Sequence, residues 1–348
     1  MINVKEFFKK RNYYFFVKVK IFLLAFINNK ITIRKIYNLL ICNLSYLLRS
    51  TNSGKAPVIV SVDLWNECNE NCVFCRDASG NIYDLNPKSN NYIPKLKLDL
   101  IHYKNVVDAF YKDSLMIIPY VNGEPLMYKG IYQAIDYTSN RKLLSLIASN
   151  GILLNENNSK KLIEAGLDFL KVHISGFTNK IHQIQHRKGN VDLILKNLKQ
   201  FMNLKKIYKS NTIVMLDYIL YEHNKHELDM ARNFAKENNL MFNIRPGNPK
   251  NMEDTEGKQR DTFFNSKKPC DWPWKALTLN NNRDMCPCCE FAIWSRPSPY
   301  GKINEDTNLQ NMWFGEDVKN FRNNHIQNGR TQIDICKNCD RQGIGFKF

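Results

Sequence analysis

The feature of this sequence that most constrains its fold is a repeated alternation of β-rich and helical segments between residues 57 and 250. Helical patterns such as LIHYKNVVDAFYKD and NVDLILKNLKQFMNL separate short apolar runs rich in β-branched residues. The runs occupy residues 58–64, 115–121, 143–149, 168–175, 212–220 and 240–246. Six βα units with right-handed crossovers predict an α/β fold, a partial (β/α)6 TIM-like barrel with its active face at the carboxyl ends of the strands.

The alternation within the predicted strands assigns side chains to the inside or the outside of the barrel. In the run KVHIS, Val172 and Ile174 share the face that meets helices, so the polar residues between them point inward. The same test places these residues inside: Ser61, Asp63, Tyr120, Asn122, Ser145, Ser149, Lys171, His173, Ser175, Asp217, Asn243 and Arg245. The alternative is a polar core whose members only hydrogen-bond one another.

Ten cysteines restrict the cellular compartment. Cys42 stands alone, and the other nine fall in tight groups at 68, 72, 75; 270; 286, 288, 289; and 336, 339. In a chain of 348 residues, groups with CxxC spacing are typical of metal ligands rather than of disulfides. Since thiolate ligands persist in a reducing environment, we expect a cytoplasmic protein.

The first group, CNENCVFC from Cys68 to Cys75, lies on the loop after the first predicted strand. A cubane 4Fe–4S cluster held by the three cysteines of this loop keeps one iron open for another ligand. Zinc is the main alternative, but structural zinc takes four protein ligands. The spacing of Cys68, Cys72 and Cys75 on a first βα loop therefore favours an iron–sulfur cluster.

On these residues the sequence resembles the radical S-adenosylmethionine (SAM) superfamily, whose hallmark is CxxxCxΦC with an aromatic Φ. Phe74 occupies the Φ position here. The resemblance implies that the amino and carboxylate groups of SAM chelate the open iron. It also implies that an electron from the cluster cleaves SAM to a 5′-deoxyadenosyl radical, which removes a hydrogen atom from the substrate.

Further segments resemble the cofactor-binding motifs of that superfamily. NGEP, with Gly123, Glu124 and Pro125, is similar to the GGE-type motif that binds the amino group of SAM, although Asn122 replaces its first glycine. A carboxylate facing an ammonium group is the expected chemistry. By the same resemblance, the ends of the third and fourth strands contact the ribose and carboxylate, and an arginine binds the carboxylate; the residues are Ser149, Asn150, Ser175 and Arg187.

The last eighty residues resemble the SPASM or shorter twitch domains of the same superfamily, which bind auxiliary clusters. The resemblance selects four ligands in KPCDWPW, MCPCC and ICKNC, namely Cys270, Cys288, Cys336 and Cys339. Four ligands suffice for one auxiliary 4Fe–4S cluster, and structural zinc held by the same four thiolates is the alternative.

Two cysteines, Cys286 and Cys289, remain outside these ligand sets. They pack beside the auxiliary centre, or one of them replaces Cys288 as a ligand. A third interpretation, by resemblance to radical epimerases, is that one donates a hydrogen atom to a substrate radical.

The N-terminal segment is strongly basic. Residues 1–50 contain ten Lys and Arg against one acid, a net charge of +9 out of +17 for the chain. The run NYYFFVKVKIFLLAFIN is interrupted by Lys18 and Lys20, and a lysine in mid-bilayer costs roughly 2.5–3.5 kcal/mol, so we expect no membrane span. The apolar residues do not form one clean helical stripe. We expect helices packed on the barrel with a solvated basic face; contact with a membrane surface or an acidic partner is the alternative. No nucleic-acid-binding motif accompanies the charge.

These observations predict three regions: a basic helical extension at 1–56, the radical SAM barrel at 57–250 and an auxiliary-cluster domain at 251–348. The predicted catalytic and substrate-pocket residues are Tyr120, Lys171, His173, Asp217, Arg245, Cys286 and Cys289. A pocket with Lys and Arg favours an anionic or polyol substrate such as a sugar, cyclitol or nucleotide sugar. Dehydrogenation is the leading reaction, with a flavodoxin- or ferredoxin-type electron donor. Radical epimerisation, peptide modification and a non-enzymatic zinc or iron–sulfur scaffold are the alternatives.

Overall fold

A computed structural model describes residues 17, 19–83, 92–247, 268–293, 298–337 and 339. The segment NPKNMEDTEGKQRD at 248–261, whose polar composition predicts a linker, lies outside the described residues. The strands are β1 Ile59–Val62, β2 Ile82–Tyr83, β3 Tyr92–Ile93, β4 Met116–Ile118, β5 Leu144–Ser149, β6 Phe169–Ile174, β7 Ile213–Leu220, β8 Met241–Pro246, β9 Ala276–Leu279 and β10 Met285–Cys286.

The helices follow the same order along the chain. They are α1 at 19–27, α2 Ile33–Leu47, α3 Leu100–Phe110, α4 Ile131–Asn140, α5 Glu156–Glu164, α6 Asn179–Gln185, α7 Val191–Ile207, α8 Leu228–Glu237, α9 Trp272–Lys275, α10 Cys289–Ile293, α11 Leu309–Trp313, α12 Glu316–Asn328 and α13 Asp334–Lys337. Two 3₁₀ helices cover Pro125–Met127 and Glu222–Glu227.

One eight-stranded sheet has the order β10-β9-β1-β4-β5-β6-β7-β8. The six strands β1 and β4 to β8 correspond to the six predicted runs, and every neighbouring pair among them is parallel. Helices connect them, so each connection returns the chain to the same end of the sheet. The predicted α/β partial barrel is therefore confirmed, and the ordered row of strands leaves it open.

Side-chain alternation in β6 agrees with the sequence prediction. Val172 and Ile174 are fully buried in the main apolar core, together with Val191 and Ile194 of α7. Lys171 and His173 are partly buried and bind Asp217 of the neighbouring strand. The polar side of this strand therefore faces the barrel interior.

The C-terminal region adds two strands to the barrel sheet. β9 pairs parallel to β1 over four residues, and β10 pairs antiparallel to β9. The sequence does not predict this parallel pairing, because contacts between residues more than 200 positions apart leave no local signal. The auxiliary region is thus joined to the barrel next to the strand that precedes the cysteine loop.

The N-terminal extension forms the predicted helices and packs on the barrel. Ile21 and Leu24 of α1 belong to a second apolar cluster with Ile59, Met116 and Leu144, which lie at or near the starts of their strands. The extension therefore covers the amino-terminal end of the barrel, opposite the predicted active face. Within the described residues, no helix is both long enough and apolar enough to span a bilayer.

Candidate active site

The loop after β1 brings Cys68, Cys72 and Cys75 to the carboxyl end of the sheet. Its backbone is held by the segment after β6, since Asn71 N donates to Arg187 O (3.2 Å) and Val73 N donates to Gln185 O (3.0 Å). Cys72 is buried, and the other two cysteines are partly exposed. The loop is therefore fixed against a neighbouring element of the barrel.

Arg76 closes the cysteine loop from within. Its side chain is 2% exposed and donates to the carbonyl of Gly80 (2.9 Å) and to that of Asn66. Burial raises the pKa of Cys75, whereas the adjacent Arg76 guanidinium lowers it. The buried arginine thus joins both ends of the loop and favours the thiolate of its neighbour.

The sulfurs of the three-cysteine loop are spaced too widely for all three to bind one zinc ion. Tetrahedral zinc with Zn–S bonds of about 2.3 Å places its sulfurs about 3.8 Å apart. Among the described residues, the three cysteine sulfurs do not all lie within 4.8 Å of one another. Burial and the charges of neighbouring thiolates and Glu70 raise the pKa of Cys72, so a cationic centre is needed to hold it as a thiolate. These features match a cluster with three cysteine ligands.

Two residues beside Cys72 were not anticipated from the sequence. Nδ1 of His186 lies 2.9 Å from Glu70 Oε2 and 3.4 Å from the sulfur of Cys72, and Nε2 lies 2.9 Å from Ser175 Oγ. Phe74 contacts the same imidazole edge-on, with ring centroids 6.0 Å apart. Glu70 lies between the cysteines and His186 precedes Arg187, but neither residue carries a spacing signal of its own.

The loop after β4 carries Gly123, Glu124 and Pro125 against the cysteine loop. Glu124 N donates to Glu67 O at 2.7 Å. The Glu124 carboxylate is 2% exposed and accepts from Ser149 Oγ (2.8 Å), Asn150 N (2.8 Å) and Leu126 N (3.1 Å). Burial raises its pKa to about 7 although these donors lower it. The carboxylate therefore joins the loops after β4 and β5, and its predicted contact with an ammonium group stays a prediction.

Asn150 links the loop after β5 to the cysteine loop. Its side-chain amide donates to Asn69 Oδ1 (2.7 Å) and lies 3.8 Å from the sulfur of Cys68. Arg187 lies on the other side of the same loop, with Nη1 3.4 Å from Arg76 O. The structure thus gathers every predicted cofactor-binding residue around the three cysteines, while the individual contacts with SAM stay predictions.

Replacing Gly123 by alanine should separate these loops. Gly123 has φ +73°, and a Cβ there would lie 2.3 Å from Glu67 O and 2.9 Å from Trp65 O. The left-handed backbone costs a non-glycine residue about 1–2 kcal/mol, and the clash with backbone adds to this cost. We expect Gly123→Ala to lower the thermal unfolding midpoint and the iron content of the reconstituted protein.

Gly301→Ala is the matched control for that variant. Gly301 also has a positive φ, +84°, but the nearest atom to its added Cβ is Met312 Cε at 3.7 Å. The control has the same free-energy cost of a non-glycine residue at positive φ, but its Cβ does not clash with the backbone. Equal effects of the two substitutions on iron content would show that the close approach of the loops is unimportant.

Asp217 is the centre of a polar cluster inside the barrel. Its fully buried carboxylate contacts His173 Nδ1 (2.8 Å), Arg245 Nε (2.7 Å) and Lys171 Nζ (3.1 Å). Asn243 Nδ2 donates to the other oxygen at 2.5 Å. Burial alone would raise the pKa of Asp217, but Lys171, His173 and Arg245 outweigh it and hold the pKa well below its ordinary value. Four predicted inward residues thus meet on one carboxylate.

Tyr120 and Cys289 extend this interior towards the C-terminal region. Burial raises the pKa of Tyr120, and charges on Cys289 and Asp217 act on the same hydroxyl. Cys286 instead lies fully buried in the main apolar core, with its sulfur 3.8 Å from Asp284 O. Of the two cysteines outside the predicted ligand sets, Cys289 is therefore the one near the polar interior.

The four predicted auxiliary ligands also converge. Burial raises the pKa of Cys288, and charges on Cys336 and Cys270 raise it further. Burial also raises the pKa of Cys336, and charges on Cys270 and Cys339 raise it further. As in the first group, no three of the described sulfurs lie within 4.8 Å of one another, which is wider than a zinc site requires.

His325 lies between two of these cysteines and was missed from the sequence. Cys270 N donates to its Nδ1 (3.4 Å), and Nε2 lies 3.8 Å from the sulfur of Cys336. Burial and the charge of Arg330 lower its pKa to about 4, so it is neutral near pH 7.

An open α/β barrel with three convergent cysteines at its mouth and four more beside it defines a class of iron–sulfur enzymes. Residues 62–232 match the sequence profile of the Radical SAM superfamily, and residues 270–340 match that of SPASM, an iron-sulfur cluster-binding domain. The chain belongs to the radical SAM superfamily and carries a SPASM domain. It is therefore an enzyme that uses SAM and 4Fe–4S clusters, and the scaffold alternative is set aside.

Curated relatives are similar over part of their length. Fe-coproporphyrin III synthase of Methanosarcina barkeri (strain Fusaro / DSM 804) is 27% identical over 157 residues, which are 44% of this chain and 36% of that protein. The sporulation killing factor maturation protein SkfB of Bacillus subtilis (strain 168) is 25% identical over 188 residues, 53% of this chain and 42% of that protein. The chain thus spans less than half the length of each of these two relatives.

Solved structures share the fold. Streptococcus suis SuiB bound to the precursor peptide SuiA superposes with a TM-score of 0.58 at 14% identity, covering 84% of this chain and 73% of that one. BtrN in complex with AdoMet and 2-DOIA gives a TM-score of 0.50 at 17% identity, covering 82% and 93%. These likenesses support the architecture that β1 to β10 show.

Proposed function

We propose that this enzyme removes a hydrogen atom from a small anionic or polyol substrate bound at the Asp217 cluster, and that the overall reaction is a dehydrogenation. The observation that carries the proposal is the convergence of Lys171, His173 and Arg245 on Asp217 inside the barrel. When bound, the 4Fe–4S cluster of the three-cysteine loop and SAM supply the 5′-deoxyadenosyl radical that the family uses for hydrogen abstraction. The residues of this chain supply binding, orientation and the exclusion of water.

The charge balance of the Asp217 cluster favours an anion. Burial lowers the pKa of His173 to about 4, so the imidazole is neutral near pH 7. One carboxylate then faces the cations of Lys171 and Arg245, which leaves a surplus positive charge within this cluster. The Arg245 side chain is 39% exposed, so a substrate can reach its guanidinium group. A phosphate or carboxylate of the substrate would accept hydrogen bonds from the other N–H groups of the Arg245 guanidinium.

His173 is suited to orient a hydroxyl group. Because the Asp217 carboxylate only accepts hydrogen bonds, the Nδ1 that lies 2.8 Å from it carries the proton. Nε2 of the neutral ring is then an acceptor, and the His173 side chain is 22% exposed. A substrate hydroxyl donating to Nε2 would be held with its carbon fixed for hydrogen abstraction.

Substitution of Arg245 tests the anion-binding role. We expect Arg245→Gln to raise the substrate KM about ten- to a hundredfold, because a charged hydrogen bond contributes about 1.5–3 kcal/mol. Release of 5′-deoxyadenosine without substrate should persist. The measurement is 5′-deoxyadenosine formed anaerobically with SAM and dithionite, with and without substrate. Arg232→Gln, at an exposed position of α8, is the control; an unchanged KM in Arg245→Gln would contradict the assignment.

Peptide modification is a second candidate, favoured by the relatives. SkfB is a maturation protein for the sporulation killing factor, and SuiB has been solved with its precursor peptide. Sugar phosphates, nucleotide sugars and short peptides should therefore be compared in the same assay. Substrate-dependent 5′-deoxyadenosine with peptides alone would overturn the proposed anionic or polyol substrate. Transfer of deuterium from a labelled substrate carbon would identify the reacting position.

Cys289 distinguishes dehydrogenation from epimerisation. It lies close enough to Tyr120 for its charge to raise the pKa of that residue, so it borders the polar interior. If Cys289 donated a hydrogen atom to the substrate radical, the product would acquire a solvent deuteron in D₂O. We expect a dehydrogenated product instead, without that label. Hydrogen donation by Cys286, which lies in the apolar core, and by Cys289 remains the alternative prediction.

We also propose one auxiliary 4Fe–4S cluster, held by Cys270, Cys288, Cys336 and Cys339, and a flavodoxin- or ferredoxin-type electron donor. A cytoplasmic location remains part of this proposal. It is supported by the ten cysteines, none of which forms a disulfide.

A further inference from the structure

Helix α2 turns its polar side towards the barrel and its apolar side outward. A helix on the surface of a protein in water normally has the opposite arrangement. The residues that it turns towards the barrel are polar or small: Lys35 (4% exposed), Asn38 (1%) and Cys42 (0%). Its outer face is apolar, with helical spacing, and contains Ile33, Ile36, Tyr37, Leu40, Leu44 and Leu47. Ile33 and Leu47 are 87% and 70% exposed. An outer face of this kind requires an apolar environment.

Helix α1 continues the same surface. Its inner residues Ile21 and Leu24 pack into the amino-terminal end of the barrel. Its outer face contains exposed Val19, Phe22, Leu23, Phe26 and Ile27, again at helical spacing. The outer residues of α1 and α2, with Leu48, are here called the N-terminal apolar face. Sequence analysis found no single stripe because residues 28–32 separate two helices, each with its own stripe.

Polar contacts with the barrel hold α2 in the orientation that exposes the N-terminal apolar face. Lys30 pairs with Asp168 at 2.7 Å, with both side chains buried. Arg34 makes two contacts with the Asp113 carboxylate, at 2.6 and 2.7 Å. Asn38 donates to the carbonyls of Ala56 and Asp113. Rolling α2 to bury its apolar side would break these bonds and leave buried charges unpaired, which is costly.

The charge around the N-terminal apolar face is positive. From residue 7 to residue 62 the sequence contains no acidic residue. Lys20 in α1 and Arg49, two residues after the end of α2, are exposed. Burial lowers the pKa of Lys205, and the positive charge of Lys20 lowers it further. An apolar surface inside a basic border matches the hydrocarbon edge and the negative headgroups of an anionic bilayer.

We propose that the N-terminal apolar face docks the enzyme on the surface of an anionic phospholipid bilayer. Helices α1 and α2 lie in the plane of the headgroups, with their outer side chains in the acyl boundary. Because these helices cover the amino-terminal end of the barrel, the cysteine loop at the other end faces away from the bilayer. The substrate then enters from the aqueous side.

A second copy of the chain suits this face less well. Two copies joined through it would bring the exposed cations Lys20 and Arg49 of one copy close to those of the other, and like charges at an interface oppose association. Anionic lipid neutralises the same charge. The observations therefore favour the bilayer over self-association.

Flotation of the reconstituted full-length enzyme with lipid vesicles tests the proposal. We expect binding to vesicles of phosphatidylcholine and phosphatidylglycerol at a 7:3 ratio to exceed binding to phosphatidylcholine alone about tenfold at low salt. Raising the salt to about 1 M, where screening acts over about 3 Å, should remove most of this difference. Lys20→Glu/Arg49→Glu should do the same, whereas Lys129→Glu/Lys236→Glu, on other exposed positions, should not.

The apolar contribution has its own matched pair of variants. Phe26→Gln/Leu40→Gln changes two side chains that are 75% and 60% exposed, so the fold is unaffected; binding should fall about tenfold. Ile101→Gln/Met230→Gln changes side chains that are 58% and 47% exposed elsewhere and should bind as the unchanged enzyme does. 5′-Deoxyadenosine release in solution should be equal in all variants.

Two results would overturn the proposal. One is the same weak binding to both kinds of vesicle, unaffected by Phe26→Gln/Leu40→Gln. The other is a dimer in sedimentation equilibrium that dissociates in this variant while vesicles bind neither form, which would assign the face to self-association.

Discussion

Replacing Cys72 by alanine is expected to abolish 5′-deoxyadenosine formation and to remove the iron of the first site. Cys72 is the buried member of the three-cysteine loop, and its sulfur lies beside the Glu70–His186 pair. With two cysteines left, the cluster loses a ligand on a loop where burial already disfavours isolated thiolates. The iron content of anaerobically reconstituted protein should fall by about four atoms per chain, one cubane.

Cys42→Ala is the control for this prediction. Cys42 is also a fully buried cysteine, but it lies in α2, in the apolar cluster at the amino-terminal end of the barrel. Its substitution should leave iron and product formation unchanged. Undiminished 5′-deoxyadenosine in Cys72→Ala would be incompatible with the role assigned to the loop. A paramagnetic signal of the reduced, unchanged enzyme that does not alter when SAM is added would be equally incompatible.

The barrel could be predicted because its signals are local. Each of the six strands is a short apolar run with β-branched residues, and the helices between them follow their own period, so neither depends on distant contacts. Strand alternation also predicted correctly that Lys171, His173 and Asp217 share the interior. It was wrong for Ser145 and Ser149, because Leu144 and Leu146 occupy the inner face of β5 and Ile147 packs in the main core on the helix side. The cysteine spacing gave the first metal-binding group in the same way, because its ligands lie on one loop.

What sequence reasoning missed depends on contacts between distant segments. The pairing of β9 with β1 joins residues more than 200 positions apart and leaves no period in either segment. Glu70, His186 and His325 acquire their positions only when separate segments of the chain meet. The reverse amphipathicity of α2 was missed for another reason: the segment was not divided into two helices, and the sequence does not show which side of α2 the barrel occupies.

The auxiliary centre gives the second large effect, a loss of about half the iron when Cys336 and Cys339 are both replaced by alanine. The two cysteine sets predict about eight irons per chain at one cubane each, and the double variant should retain about four. These cysteines lie outside the barrel loop that holds the first cluster, so that cluster should survive. The expected readout is iron and sulfide per chain, with SAM cleavage still detectable.

Cys286→Ala is the matched control within the same region, and it also tests which cysteine of MCPCC binds the metal. Cys286 lies in the apolar core on β10, whereas charges on Cys270 and Cys336 act on Cys288. The control should therefore keep about eight irons, and Cys288→Ala should lose about four. Full iron in the Cys336/Cys339 double variant would refute the second ligand set. One zinc per chain in place of four irons would show that the four sulfurs close around a single ion, although no three of them lie within 4.8 Å of one another in this structure.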